Sequence, residues 1–286
     1  MNAVHESSPE LLSPIGLVAG NGQFPLEFAE NARKRGLTVV TVALKGEADK
    51  RVEGLSQSTT WVSVGQLGKL IRSLKRAGCR QVAFAGGVTR VNFVDGFRID
   101  WVGLRMLSKL RSFNDDSILR GVISQVEKGG IEVIAASMLL EKSVPKAGVL
   151  TNRGLRKEEL ENARIGWEAA RATGALDIGQ SIVMRNKTII AVEAVEGTDK
   201  TIIRAGDVRG EGGVLVKLAK SNQELRIDLP AIGVRTIELM KESRISALVI
   251  EAGKAIMLDP QGIIEAANRL DIAIVAAESN DQLTVG

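Results

Sequence analysis

Apolar runs alternate with amphipathic stretches along the first half of the chain, and glycines punctuate them. Ile15, Leu17, Val18 and Ala19 form a short run that ends in Gly20-Asn21-Gly22-Gln23-Phe24-Pro25. Proline suits the first turn of a helix, and residues 26–35 continue as one until Gly36. Residues 38–44, TVVTVAL, are rich in β-branched side chains and predict a second strand. Strand, loop, helix and strand in that order mark a parallel sheet with right-handed crossovers.

The pattern then repeats. Val64, Leu67, Leu70, Ile71, Leu74 and Ala77 recur at helical spacing, and residues 81–85 form a strand that runs into Gly86-Gly87. Ile118, Leu119, Val122, Ile123 and Val126 predict a helix opened by Asn114-Asp115-Asp116-Ser117 and closed by Gly129-Gly130, and residues 131–136 predict the next strand. We therefore read residues 13–147 as a Rossmann-like domain with a mainly parallel sheet.

The second half differs. Pro145, Gly148, Asn152 and Gly154 among charges predict a linker over residues 148–160. A helix through Trp167 and Ala170 follows. Residues 181–184 and 188–193 read as a hairpin about Arg185-Asn186-Lys187, and residues 214–218 as a strand. Residues 236–240 and 263–270 read as helices and 272–276 as a last strand. Residues 247–250 and 255–258 read as a pair of strands about Glu251-Ala252-Gly253. The expected class is α/β, with residues 161–280 forming a mixed α/β domain.

Composition narrows the chemistry. The chain of 286 residues is long enough for two domains and a sizeable core. One cysteine, Cys79, and one histidine, His5, exclude disulfide frameworks and His/Cys zinc clusters. Cys79 reads as a small buried thiol, and His5 sits in a polar tail, so acid–base or metal chemistry falls to carboxylates, lysines and backbone groups. Net charge is +4, which fits an anionic ligand without requiring one. Aromatics are 3% and tyrosine is absent, which argues against base-stacking nucleic-acid recognition. No apolar run reaches membrane-spanning length, and the first residues lack a signal-peptide pattern, so a cytoplasmic location is expected.

Four constellations could carry chemistry. Gly20, Asn21, Gly22 and Gln23 lie between a strand and a helix, where backbone N–H groups hold phosphate well. No Gly-Lys-Ser/Thr closes the turn, and Pro25 replaces the third glycine of a dinucleotide fingerprint. Phosphate contact and a plain tight turn both stand. Gly86-Gly87 ends a strand where open sheets bind ligands, and Arg90 beyond it could grip a phosphate or be merely solvated. Asn114-Asp115-Asp116 could cap a helix or contact a metal or sugar. The fourth spans Leu176-Asp177-Ile178-Gly179-Gln180, Glu193, Glu196, Thr198, Asp199, Lys217 and Gln223–Gly233. Acids near the end of an apolar strand are costly to bury unless paired or metal-bound. Arg226 and Asp228 alternate by two and would share a face if extended, as an ion pair or as a cation for phosphate beside a carboxylate for metal or water.

Several phrases together resemble the I-type UDP-2,3-diacylglucosamine diphosphatase family of lipid A biosynthesis. They are Gly20-Asn-Gly22-Gln-Phe-Pro25, Asn114-Asp-Asp-Ser-Ile-Leu119, Leu176-Asp-Ile-Gly-Gln180, Val192-Glu-Ala-Val-Glu-Gly-Thr-Asp199, Gly213-Val-Leu-Val-Lys217 and Arg226-Ile-Asp228-Leu-Pro230-Ala-Ile-Gly233. They follow family order over essentially the whole chain. The resemblance implies a magnesium-dependent (Mg2+) hydrolase that splits UDP-2,3-diacylglucosamine by water attack on the α-phosphorus, giving UMP and 2,3-diacylglucosamine 1-phosphate. It also implies a homodimer and transient contact with the inner membrane surface. Asp228 matches the essential aspartate and is the expected catalytic residue and metal ligand, with Asp199 and Glu196 as further ligands. Gly20, Asn21, Gly22, Gln23, Arg90, Gln180, Thr198, Lys217 and Arg226 are the expected substrate contacts. Glu224 stands where the family has a further aspartate. A sugar-nucleotide transferase and a nucleotide-binding regulatory protein are the competing readings.

Overall fold

A computed structural model describes residues 10–88, 99–108, 115–221, 223–227 and 229–286. His5, Arg90, Asn114 and Asp228 lie outside them. The chain divides into two compact units, Met1–Leu140 and Glu141–Gly286.

The first unit is the expected Rossmann-like sheet. Strands β1 (Ile15–Ala19), β2 (Val39–Leu44), β3 (Ser58–Val62), β4 (Gln81–Ala85) and β5 (Glu132–Ile134) pair in the order β3-β2-β1-β4-β5, all parallel. Helices α1 (Phe24–Lys34), α2 (Val52–Leu55), α3 (Leu67–Arg76), α4 (Trp101–Leu107) and α5 (Asp115–Lys128) connect and flank it. Strands buried on both faces read as continuous apolar runs, and β1 and most of β2 are buried throughout. Leu17, Phe28, Ala83 and Ile134 join one core. Edge strand β3 escaped the sequence reading because Ser58, Thr59 and Thr60 carry no apolar run.

The second unit is a six-stranded mixed sheet. It contains β6 (Gly148–Val149), β7 (Ser181–Arg185), β8 (Thr188–Val192), β9 (Gly213–Lys217), β11 (Ile245–Glu251) and β13 (Ala273–Ala277), in the order β6-β13-β11-β9-β7-β8. The centre, β13-β11-β9, is parallel, while β6, β7 and β8 add antiparallel edges. Alternation along β9 sends Val214 and Val216 to one face, against α6 (Lys157–Ala175) with Trp167, and Leu215 to the other. That other face packs on α7 (Thr198–Gly206), α8 (Val234–Glu242) and α9 (Pro260–Arg269) through Ile202, Ile237 and Ile263.

Two expectations are corrected here. The stretch 148–160 is not a free linker: β6 pairs with β13, and α6 begins at Lys157. Nor do residues 247–250 pair with 255–258. Both sides of β11 are taken by β9 and β13, so β12 (Ile256–Met257) pairs with β10 (Ala231–Ile232) in a separate parallel ribbon.

At the amino ends of β11 and β13 lies a buried ion pair. Arg153 Nη1 and Nη2 donate to the Glu159 carboxylate at 2.9 and 3.1 Å, and Arg156 N and Ser246 Oγ donate to it at 2.8 and 2.6 Å. Burial opposes ionisation of Glu159, and these bonds more than offset it, holding the carboxyl below its usual range.

Candidate functional site

The carboxyl end of the second sheet gathers the buried polar groups. Lys217 ends β9 at 5% exposure, on the same face as Leu215, opposite Ser181 of β7 in register. Its Nζ donates to Thr198 Oγ1 and to Ala231 O, both at 2.9 Å. The Thr198 hydroxyl donates to Glu193 Oε2 at 3.1 Å, and Ser181 Oγ lies 3.4 Å from it. A lysine, two hydroxyls and a carboxylate thus meet where β7, β8, β9 and the start of α7 converge. Gly179 makes the convergence possible, because a Cβ there would lie 2.0 Å from Glu193 O. Beside it, Gln180 Oε1 is buried with no hydrogen-bond partner among the described residues. Buried polar atoms are almost always paired, so this acceptor marks a place for a donor that the described residues do not supply.

The loop expected to carry the chemistry starts and ends here. It leaves at Leu218, whose amide donates to Gln180 O at 3.0 Å, and returns at Ala231, whose carbonyl Lys217 holds. The extended alternation expected for Arg226 is corrected: residues 225–227 form a turn closed by Ile227 N to Glu224 O at 3.0 Å. Within it, Arg226 Nε and Nη2 donate to Glu224 at 2.9 and 3.1 Å in a bidentate pair.

On the opposite face of the sheet, Glu251 ends β11 at 1% exposure. Its Oε1 accepts from Arg171 Nη2 at 2.7 Å and Lys254 Nζ at 2.9 Å, while Oε2 is buried without a partner. Arg171 also donates to Ala219 O and stacks over Trp167 at 5.4 Å. The sequence reading treated Glu251 as a turn residue. The signal was present, an acid closing the apolar run ISALVIE.

The other acids are already engaged. Glu196 Oε1 accepts from Arg204 Nη2 at 2.7 Å and Thr201 Oγ1 at 3.3 Å, and Oε2 accepts from Ala194 N at 3.2 Å. Its own amide and Arg204 hold it below the usual carboxylate range. Asp199 pairs with Arg235 at 3.2 Å. Among the described residues, no cluster of three or more His, Cys, Asp or Glu could hold a metal.

In the first unit, the glycine turn has a packing reason. Gly20 N donates to Ala85 O and Asn21 N to Gly87 O, both at 2.8 Å, and Asn21 Oδ1 accepts from Gly87 N at 3.2 Å. A Cβ on Gly20 would lie 2.3 Å from Gly87 O, and one on Gly86 would lie 2.3 Å from Asn21 O. Two backbones cross in contact, so the amides of Gly20 and Asn21 serve the crossing. Gln23 opens α1, and its Oε1 sits 3.5 Å from Arg51 Nη2. Asp115 and Asp116 lie at the start of α5.

A Rossmann-like unit followed by a mixed sheet with a buried lysine–hydroxyl–carboxylate cluster at its carboxyl edge describes an α/β protein with a candidate ligand site at that edge. The LpxI N-terminal domain model matches residues 14–143 and the LpxI C-terminal domain model residues 146–275, and the chain belongs to the LpxI family. It is 32% identical over 279 residues to the UDP-2,3-diacylglucosamine pyrophosphatase LpxI of Caulobacter vibrioides, covering 94% of this chain and 99% of that one. Among solved structures, Rhizobium etli pyruvate carboxylase aligns over 60% of this chain and 15% of its own, at 12% identity and a TM-score of 0.29. The biotin carboxylase domain of Hydrogenobacter thermophilus 2-oxoglutarate carboxylase aligns over 63% and 36%, at 12% and 0.28. Neither bears on function.

Proposed function

We propose that this chain hydrolyses the diphosphate of UDP-2,3-diacylglucosamine by water attack on the α-phosphorus, releasing UMP and 2,3-diacylglucosamine 1-phosphate in lipid A synthesis. The observation that carries the reading is the near-complete alignment with the Caulobacter pyrophosphatase across both domains. The site chemistry supports it. A diphosphate concentrates negative charge, and its hydrolysis needs that charge countered and a water aligned. Lys217 supplies a buried cation, Thr198 and Ser181 supply hydroxyls, and Gln180 presents an acceptor that meets no donor among the described residues.

The catalytic carboxylate in this reading is Asp228. It also holds magnesium, which, when bound, neutralises phosphate charge and orders water. Asp199 and Glu196 fit poorly as further ligands, since Arg235 and Arg204 already neutralise them. Magnesium commonly takes one or two carboxylates and completes its shell with phosphate oxygens and water, so a single aspartate is chemically sufficient. Arg226, fixed by Glu224, and Lys217 hold phosphate, and the Gly20–Gln23 turn and Arg90 contact the substrate from the first unit's sequence. A cytoplasmic homodimer in transient contact with the inner membrane surface completes the proposal. Its support is the family resemblance, together with the absence, among the described residues, of a helix long and apolar enough to cross a membrane.

The test is hydrolysis in oxygen-18 water with magnesium, by the wild type and Asp228→Ala. Label in UMP, with a folded but inactive variant, supports the reading. Label in the sugar phosphate moves the attack to the other phosphorus. No turnover by folded wild type sinks the hydrolase.

A further inference from the structure

The first unit contains a cavity of about 390 Å³ at the carboxyl ends of its strands, where Val18, Leu44, Val62 and Phe84 form the floor. Leu70, Val122 and Met106 wall it. Among the described residues no charged side chain lines it, and the two polar ones, Ser63 and Gln66, bond to each other's segment, Ser63 N donating to Gln66 Oε1 at 3.0 Å. Open sheets bind ligands at this edge, yet a sugar, base or phosphate here would lose its hydrogen bonds to water and find none in return. Protein cores rarely keep voids much larger than a water, and apolar cavities stay dry and take apolar guests. The volume lies within the range of ligand pockets, about 300–1,000 Å³.

Helix α4 walls the cavity and carries apolar side chains both toward it and toward solvent, beside the exposed Arg105. Gly103 and Met106 face inward, while Trp101 is 77% exposed and Leu104 is also exposed. Val88 and Ile99, which line the cavity, are themselves exposed apolar side chains. Exposed large apolar side chains beside a cavity suit lipid or another apolar surface, and tryptophan favours the membrane interface. The wall is also fixed: Asp100 accepts from Gly103 N and Lys69 N, and a Cβ on Gly103 would lie 2.5 Å from Gly65 O.

We infer that this cavity holds one acyl chain of the lipid substrate, received past α4. The inference rests on the diacylated sugar-nucleotide reading above. The test compares the wild type with Val122→Phe, which narrows the cavity from α5. Two readouts are taken: KM and kcat for UDP-2,3-diacylglucosamine of short and long acyl chains, and Kd for cis-parinaric acid by fluorescence. In the wild type, each methylene added within the cavity strengthens binding about fourfold. Val122→Phe should raise KM for the long-chain substrate and Kd for parinaric acid at least about tenfold, leaving kcat and short-chain turnover unchanged. A folded Val122→Phe that matches wild type on both readouts overturns the inference. Parinaric acid binding that depends on residue 122, in a wild type without turnover, sinks the substrate reading and keeps the cavity. If Val122→Phe does not fold, Val122→Ala should move the preferred chain toward greater length, and an unmoved preference overturns the inference.

Discussion

The two ends of the second sheet bury similar groups to different effect. At the amino end, both oxygens of Glu159 are matched by Arg153, Arg156 N and Ser246. At the carboxyl end, Gln180 Oε1 and Glu251 Oε2 are buried and meet no partner among the described residues. Arg185 Nε is the amino end's exception, on a guanidinium otherwise bonded to Val208 and Ser243 carbonyls. A network completed within the chain serves the fold. One left incomplete at a ligand-binding edge awaits groups from outside.

The comparison breaks most visibly at Lys217. Lys217→Met should lower kcat/KM for the proposed hydrolysis about 10²–10³-fold, the usual effect of losing one charge-stabilising donor, as steady-state assays will show. Equal activity would make Lys217 a structural residue like Arg153. Next, Glu159→Ala removes the bidentate partner of the half-buried Arg153, which keeps Asp271, and should cost about 1–3 kcal/mol of stability, read by urea denaturation, with kcat nearly unchanged. The sign of the pH effect follows from the depressed carboxyl. Its contribution is fully present above the unfolded value near 4.3 and fades as pH falls through the lower folded one. Glu159→Gln should therefore flatten the acid limb of a Tm-against-pH curve. Gly179→Ala and Gly20→Ala come next, at roughly 1–3 kcal/mol each of strain. Gly179→Ala should also impair turnover, because it displaces Glu193 at the carboxyl edge. The smallest effect is at Cys79, whose thiol burial pushes up to about 11. Iodoacetamide should label it slowly in native protein at neutral pH and rapidly in urea.

The fold was legible where one rule governed a segment. β1 and β4 show as apolar runs stopped by glycines, and the β7–β8 hairpin by its polar turn, where Asn186 and Lys187 take positive φ. Pairing partners were not. Nothing near Ile256 says that Ala231 is its neighbour, since that choice is made by strands elsewhere filling both sides of β11. The site was half legible for the same reason. Lys217 and Thr198 stand out as polar residues at element ends. The partners of Glu196 and Asp199, Arg204 and Arg235, come from later helices, and without them an engaged acid reads as an open metal ligand. At Gly20 the sequence leaves phosphate contact and a plain tight turn both open, because the carbonyl of Gly87 that packs on it belongs to a backbone distant in sequence.

The bond from Lys217 Nζ to Ala231 O turns the intervening segment into a ring. Closing a loop costs entropy that grows only slowly with length, and here the sheet edge bears that cost before any ligand arrives. Native-state hydrogen exchange should be slow at Leu218 and Ile256, whose amides bond to Gln180 O and Pro230 O at the stems, and faster toward Ile227. Opening the ring in Lys217→Met should spread fast exchange down to Leu218.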